Sequence, residues 1–175
     1  MLLKALALII SLASLAGNGA AAKTSTHLTF YMHDTLASTP GHPATGARMT
    51  TGTTPIPADP RYRFGDMYAI DDPLTAGPDA KSPAVGRAQG FYIFASQTEI
   101  ALMFCFNVVF TSGPHNGSTV AVLARNLFAA EVRELPVVGG TGAFRGVTGY
   151  GLLRTQDYNV TAYSAVLKID MYLRH

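Results

Sequence analysis

The sequence predicts an all-β domain of antiparallel strands, and three observations carry that expectation. Apolar and polar residues alternate with a period of two through most of the chain. Gly, Pro, Asn and Asp punctuate these runs at short intervals, and no stretch carries the long 3.6-residue periodicity of a crossover helix. The last run, near the C-terminus, is long and apolar, so leaving it as an open edge would invite pairing with other chains. Closure into a barrel removes that edge, although an open two-sheet sandwich fits the same alternation.

Before the domain comes Met1-Leu2-Leu3-Lys4, an apolar run from Ala5 to Ala16, and small residues up to Ala22. A basic start, an apolar middle and a small-residue end describe a secretory leader over residues 1–22. The run falls short of the roughly 20 apolar residues that a membrane span needs. The mature domain, 23–175, is therefore expected to be exported and free of the membrane. Its first strand puts Leu28, Phe30, Met32 and Asp34 on one face, with Thr29, Tyr31 and His33 on the other. Residues 35–60, rich in Thr, Pro, Gly and Ala, read as one long surface loop. A strand over 63–70 is closed by Asp71-Asp72-Pro73, and a second Pro/Gly loop reaches Pro83. The strongest hairpin signal is central, 85–96 and 100–111 turning at Gln97-Thr98-Glu99. Strands over 118–124, 131–138, 144–155 and 160–173 bring the set to seven or eight.

Composition excludes several classes of function. The formal net charge is +2, with no basic block or aromatic-interleaved Arg/Lys stripe, which argues against nucleic acid. Cys105 is the only cysteine, so no internal disulfide forms, and its apolar neighbours mark a buried, inert thiol. His27, His33, His42, His115 and His175 are scattered without metal-ligand spacing, and no metal site is expected. The glycine cluster at 139–146 places Arg145 where a dinucleotide fingerprint needs its third glycine, and no Gly-Lys-Ser/Thr follows. Those glycines suit a tight turn or bulge between two strands. Nothing is equipped for redox chemistry; if the protein acts on a radical reaction, another protein must make the radical. One strand is apolar on both faces, with Ile100, Leu102, Phe104, Phe106, Val108 and Phe110 opposite Ala101, Met103, Cys105 and Val109. Such a strand must be covered on both sides, which points to a subunit interface.

Four segments stand in order along the mature chain. They are Phe30-Tyr31-Met32-His33-Asp34-Thr35, Gly86-Arg87-Ala88-Gln89-Gly90-Phe91-Tyr92, Asn116-Gly117-Ser118-Thr119, and the stretch from Arg133-Glu134-Leu135-Pro136 to Ala143-Phe144-Arg145-Gly146. In content and spacing they resemble the plant dirigent family. The resemblance implies an eight-stranded antiparallel β-barrel assembled as a homotrimer, secreted to the apoplast and cell wall, with no cofactor. It also implies a small phenolic ligand: phenoxy radicals of monolignol type, supplied by a laccase or peroxidase, whose coupling or ring closure the protein steers. A non-catalytic carrier of apolar phenolics and a structural wall or defence protein are the alternatives.

Within that frame Asp34 and Arg133 are the catalytic candidates. Asp34 shares its face with apolar residues, so it either points inward or ends the strand at the rim. A carboxyl in an apolar cavity stays protonated near neutral pH, as a general acid must. Arg133 shares its face with Leu135 and Val137, and the resemblance implies a pocket arginine there, donating to a phenolate or carbonyl oxygen. Tyr92, Phe94, Phe30 and Asn126 are the expected substrate-binding residues. Asn126 departs from the family, whose lignan-forming members carry an Asp in that segment, which puts a two-carboxyl mechanism in doubt. Gly86, Arg87, Gln89 and Gly90 read as structural, Gly90 for close strand approach and Gln89 to satisfy buried backbone. Asn116 and Asn159 open glycosylation sequons, with Asn116 in the more turn-rich surroundings.

Overall fold

The structure, a computed structural model, describes residues 24–39 and 43–175; the expected leader lies outside them. Among the described residues the chain forms eleven strands and two short 3-10 turns. They are β1 (Ser25–Thr35), β2 (Gly46–Thr50), β3 (Thr54–Ile56), β4 (Asp59–Phe64), β5 (Met67–Thr75), β6 (Ala84–Phe94), β7 (Ala101–Phe110), β8 (Thr119–Leu127), β9 (Arg133–Thr141), β10 (Thr148–Asn159) and β11 (Ser164–Arg174). Eight of these run β1-β11-β10-β9-β8-β7-β6-β5 and close through β5 onto β1. Every pairing is antiparallel, so the fold is an eight-stranded closed barrel and the sandwich is excluded. β2 flanks β5 outside the ring, and β3 pairs only with β4 as a hairpin near one rim.

The closing seam is short. β1 meets β5 only at Tyr31↔Thr75 and Met32↔Leu74, after which β2 takes over the edge of β5 from Ile70 to Met67. Thr45 fills the gap: its N–H donates to the Thr35 carbonyl at 2.8 Å, and its own carbonyl accepts from Asp71 N–H at 2.9 Å. This corrects the expected end of β5 at Asp71-Asp72-Pro73. Residue 71 turns its N–H toward Thr45, so position 73, two further on, faces the same gap, where a ladder bond is not required. A proline is tolerated there and β5 continues to Thr75. The expected 35–60 loop is likewise divided by β2 and β3, whose residues are too Thr/Pro/Gly-rich to read as strands without their partners.

Inward positions fill the barrel. Phe30 and Met32 on β1, Phe104 and Phe106 on β7, Leu135 on β9, Leu153 on β10, and Ile169 and Met171 on β11 are essentially sealed from solvent. Each such side chain stabilises the fold by about 1.5–3 kcal/mol relative to exposure. Glycines make room for the rings. Gly90 faces Phe106 across the β6–β7 ladder, and a Cβ there would lie 2.1 Å from the Cys105 carbonyl. One end of the barrel is plugged: Phe144, fully buried, lies 5.3 Å from the ring of Phe110, 4.8 Å from His115 and 4.9 Å from His175. The other end stays open.

Candidate functional site

Four strand ends (β1, β6, β8 and β10) and three strand starts (β7, β9 and β11) surround a cavity of about 80 Å³ at the open end. Its wall is mostly aromatic and aliphatic, with Tyr92 and Phe94 from β6, Leu102 and Phe104 from β7, and Leu167 from β11. The hairpin ring Tyr62 stacks on Phe94 at 4.9 Å, and its hydroxyl meets that of Tyr158 across the mouth at 3.0 Å. Phe128 packs edge-on against Tyr158 at 5.2 Å. Stacked and edge-on rings of this kind present a surface suited to a flat aromatic ligand.

Three strongly polar side chains break this wall. Asp34 is the inward residue after Met32 on β1, so the alternation read from the sequence holds and the turn-residue alternative fails. Its Oδ1 is sealed from solvent and has no hydrogen-bond partner. Burial pushes its carboxyl up to about 7, well above its ordinary 3.8. Arg133 opens β9 and is 5% exposed; its guanidinium donates to the Ala130 carbonyl at 3.1 Å and to Thr155 Oγ1 at 2.9 Å. Nε is buried without a partner, and no ion pair among the described residues includes Arg133. Desolvation lowers its proton affinity below the usual arginine range, the signature of a positive charge without a counterion. Asn126 is 5% exposed, and its Oδ1 is also buried and unpartnered.

Around these groups the phenols of Tyr92 and Tyr62 stay neutral. Burial raises Tyr92, with Asp34 the next largest cause, and burial with the Tyr158 hydroxyl raises Tyr62. At neutral pH the cavity therefore offers a protonated or half-protonated acid, a fixed guanidinium, a carboxamide and phenol donors on an apolar wall. That set stabilises an oxygen that gains negative charge and leaves the rest of a ring system to be held by packing.

Of the sequence candidates, Asp34, Arg133, Tyr92, Phe94 and Asn126 meet in this one cavity. Phe30 does not: it is 1% exposed, lies outside the cavity wall and serves the core. Asn126 sits on β8 itself, because the strand runs three residues past its expected end at Ala124. Gln89 is exposed on the outer face, donating from Nε2 to Asp71 Oδ1 at 3.1 Å, so it satisfies a side chain and not buried backbone. Asn116 lies beyond β7 at the plugged end, whereas Asn159 is beside the mouth, next to Tyr158. The sequence reading missed Tyr62, Phe128, Tyr158 and Tyr163. Tyr62 and Tyr158 alternate with polar neighbours as any exposed strand residue does, Tyr163 lies in the turn before β11, and only the hairpin's position over the rim brings Tyr62 to the cavity.

The sequence model of the dirigent-like protein family matches residues 25–174. Dirigent protein 21 of Arabidopsis thaliana is 42% identical over 150 residues, spanning 86% of this chain and 77% of that protein. Pterocarpan synthase 1 of Glycine max is 40% identical over 154 residues, spanning 86% and 78%. The solved structure of the pterocarpan synthase dirigent protein GePTS1 superposes with a TM-score of 0.79 at 35% identity, covering 88% of this chain and 86% of that one. The chain belongs to the dirigent-like protein family.

Proposed function

We propose that this protein holds phenolic intermediates of monolignol type in the open-end cavity and steers their coupling or ring closure, the radicals being made by a separate laccase or peroxidase. The observation that carries this reading is the convergence of Asp34, Asn126 and Arg133, each with a buried unpartnered atom, inside an otherwise aromatic wall. The rings fix which face of a phenolic is exposed, and proximity and orientation then do most of the work. When a quinone methide closes, its carbonyl oxygen gains negative charge. Asp34 supplies the proton and Arg133 the fixed donor. That some relatives are named synthases supports chemistry in the cavity.

The test is chiral product analysis after incubation with a one-electron oxidant and coniferyl or sinapyl alcohol. An enantiomeric excess above the oxidant-only control supports steering. Racemic product with calorimetric binding replaces it with the second reading, a carrier, which Asn126 favours because an amide is not an acid at neutral pH. The same proposal includes export, glycosylation at Asn116 and Asn159, and a homotrimer. The trimer is supported by the outer face of β7 and β8, where Met103 and Leu123 are exposed beside half-buried Cys105 and Val109.

A further inference from the structure

Asp72 is not part of the cavity wall, yet it is completely buried. Strand β5 turns Ile70, Asp72 and Leu74 inward. The pairing Tyr31↔Thr75 and Met32↔Leu74, carried two residues further, sets Asp34 opposite Asp72 where the ladder ends. Each carboxyl has one sealed oxygen without a partner, Oδ1 of Asp34 and Oδ2 of Asp72. The remaining oxygen of Asp72 accepts from Thr45 Oγ1 at 2.5 Å, and Thr45 Oγ1 in turn accepts from Thr35 N–H at 2.9 Å.

Among the described residues no cationic side chain sits between the two acids. On β1, His33 is bonded to Thr75 Oγ1 at 2.7 Å on the alternate face. On β6, Arg87 binds Asp71 on the outside of the barrel and lowers Asp72 less than Asp34 raises it, and Tyr92 presents only a neutral phenol, as does Tyr68 on β5. Burial raises Asp72 to about 8, with Asp34 the next cause. Two ionised carboxylates facing each other in an apolar interior are strongly unfavourable. One proton between them converts two unsatisfied oxygens into a donor and an acceptor.

We propose that Asp34 and Asp72 share one proton, so that Asp34 meets a bound intermediate as a preformed acid while Asp72 and Thr45 act as positioning residues behind it. This rests on reading the cavity as a site for phenolic intermediates. In closure of a quinone methide, the Asp34 O–H bond breaks and its proton goes to the carbonyl oxygen. The substrate hydroxyl forms the new C–O bond to the methide carbon, and the proton it loses returns to the carboxyl pair. The substrate is isomerised, nothing is oxidised or reduced, and the pair ends as it began. Asn126 takes neither proton, and this scheme assigns both to the pair.

Carboxyl infrared absorption of the unliganded mature protein, followed from about pH 4 to pH 9, reads both protons without any substrate. The wild type should show two separated steps, the second above neutrality. Asp72→Asn should leave one step, with Asp34 titrating at least about one pH unit lower, and Asp34→Asn should do the same for Asp72. Thr45→Val, which removes the donor to Asp72, should move the upper step up. The alkaline limit of product selectivity should follow Asp34 downward in Asp72→Asn. An Asp34 step that keeps its pH in Asp72→Asn overturns the proposal. If that variant does not fold, an Asp72 step unmoved in Asp34→Asn does so equally. Coupled titration with racemic product would remove the assigned chemistry and leave the shared proton standing.

Discussion

Replacing Asp34 by Asn should make the protein more stable at neutral pH and no more stable in acid. Below its ordinary 3.8 the carboxyl is protonated in both folded and unfolded chains and contributes nothing. As pH rises past that value the unfolded chain releases the proton while the folded chain, whose value is about 7, retains it. The unfolded state is then favoured, and wild-type stability falls until the folded carboxyl also ionises. At ~1.36 kcal/mol per pH unit, this range corresponds to roughly 4 kcal/mol. An amide in the same place leaves its own polar atoms short of partners, at a cost of about 1–2 kcal/mol. The net gain near pH 8 is therefore on the order of 2–3 kcal/mol. For a domain of this size that is a rise of about 5–10 °C in Tm.

Urea denaturation and calorimetry at about pH 4 and pH 8 would measure this, with protein concentration held fixed because assembly contributes to apparent stability. The difference between variant and wild type should be small or negative in acid and clearly positive at the higher pH. A pH-independent difference would make Asp34 a structural residue without a displaced proton. Loss of stability at pH 8 would be more damaging: it would mean that Asp34 is ionised in the folded state, neutralising Arg133, and the acid role would fall with it.

Arg133→Gln should lower product selectivity sharply. Combined with Asp34→Asn, it should be little worse than the poorer single variant, since groups acting on one oxygen are strongly non-additive; chiral chromatography of all three would show independent losses if they act apart. Met103→Glu or Val109→Glu should split a trimer to monomers in light scattering, and a wild type that is already a monodisperse monomer would refute the interface. Gly90→Ala should cost about 1–3 kcal/mol in denaturant titration, because the added Cβ meets the Cys105 backbone and not a flexible side chain; an unchanged midpoint would refute the close-approach role of that glycine.

The barrel was legible because its signals are local. Alternation along β6, β7 and β11 states which residues face inward, and each strand is long enough to state it more than once. β2 and β3 were not legible because their residues become strands only by pairing with β5 and β4. Asp34 and Arg133 could be found since a charged residue on an apolar face breaks a visible pattern. Asp72 broke the same pattern, in step with Ile70 and Leu74, but the adjacent Pro73 made the segment look like a strand end. Tyr62 reaches the cavity from a hairpin outside the barrel, and no periodicity within 59–64 encodes where that hairpin lies. Phe30 failed as a ligand contact for the opposite reason. Its face was read correctly, but depth along the barrel axis depends on the plug at the far end.

That plug sharpens the argument about the open end. At the closed end Phe110, Phe144, His115 and His175 fill the space with ring contacts, and Ser118 Oγ accepts from Ala143 N–H at 3.0 Å. At the other end lie all four buried side-chain atoms that lack partners among the described residues: Asp34 Oδ1, Asp72 Oδ2, Asn126 Oδ1 and Arg133 Nε. Each such atom costs about 1–3 kcal/mol, and replacing these groups with apolar residues of similar volume would relieve that cost. A barrel serving only as a wall component has no use for the expense at one end while packing the other tightly. A cavity that binds an oxygen-bearing aromatic does, because the ligand supplies partners for Asn126 Oδ1 and Arg133 Nε, which a proton shared by Asp34 and Asp72 leaves unsatisfied.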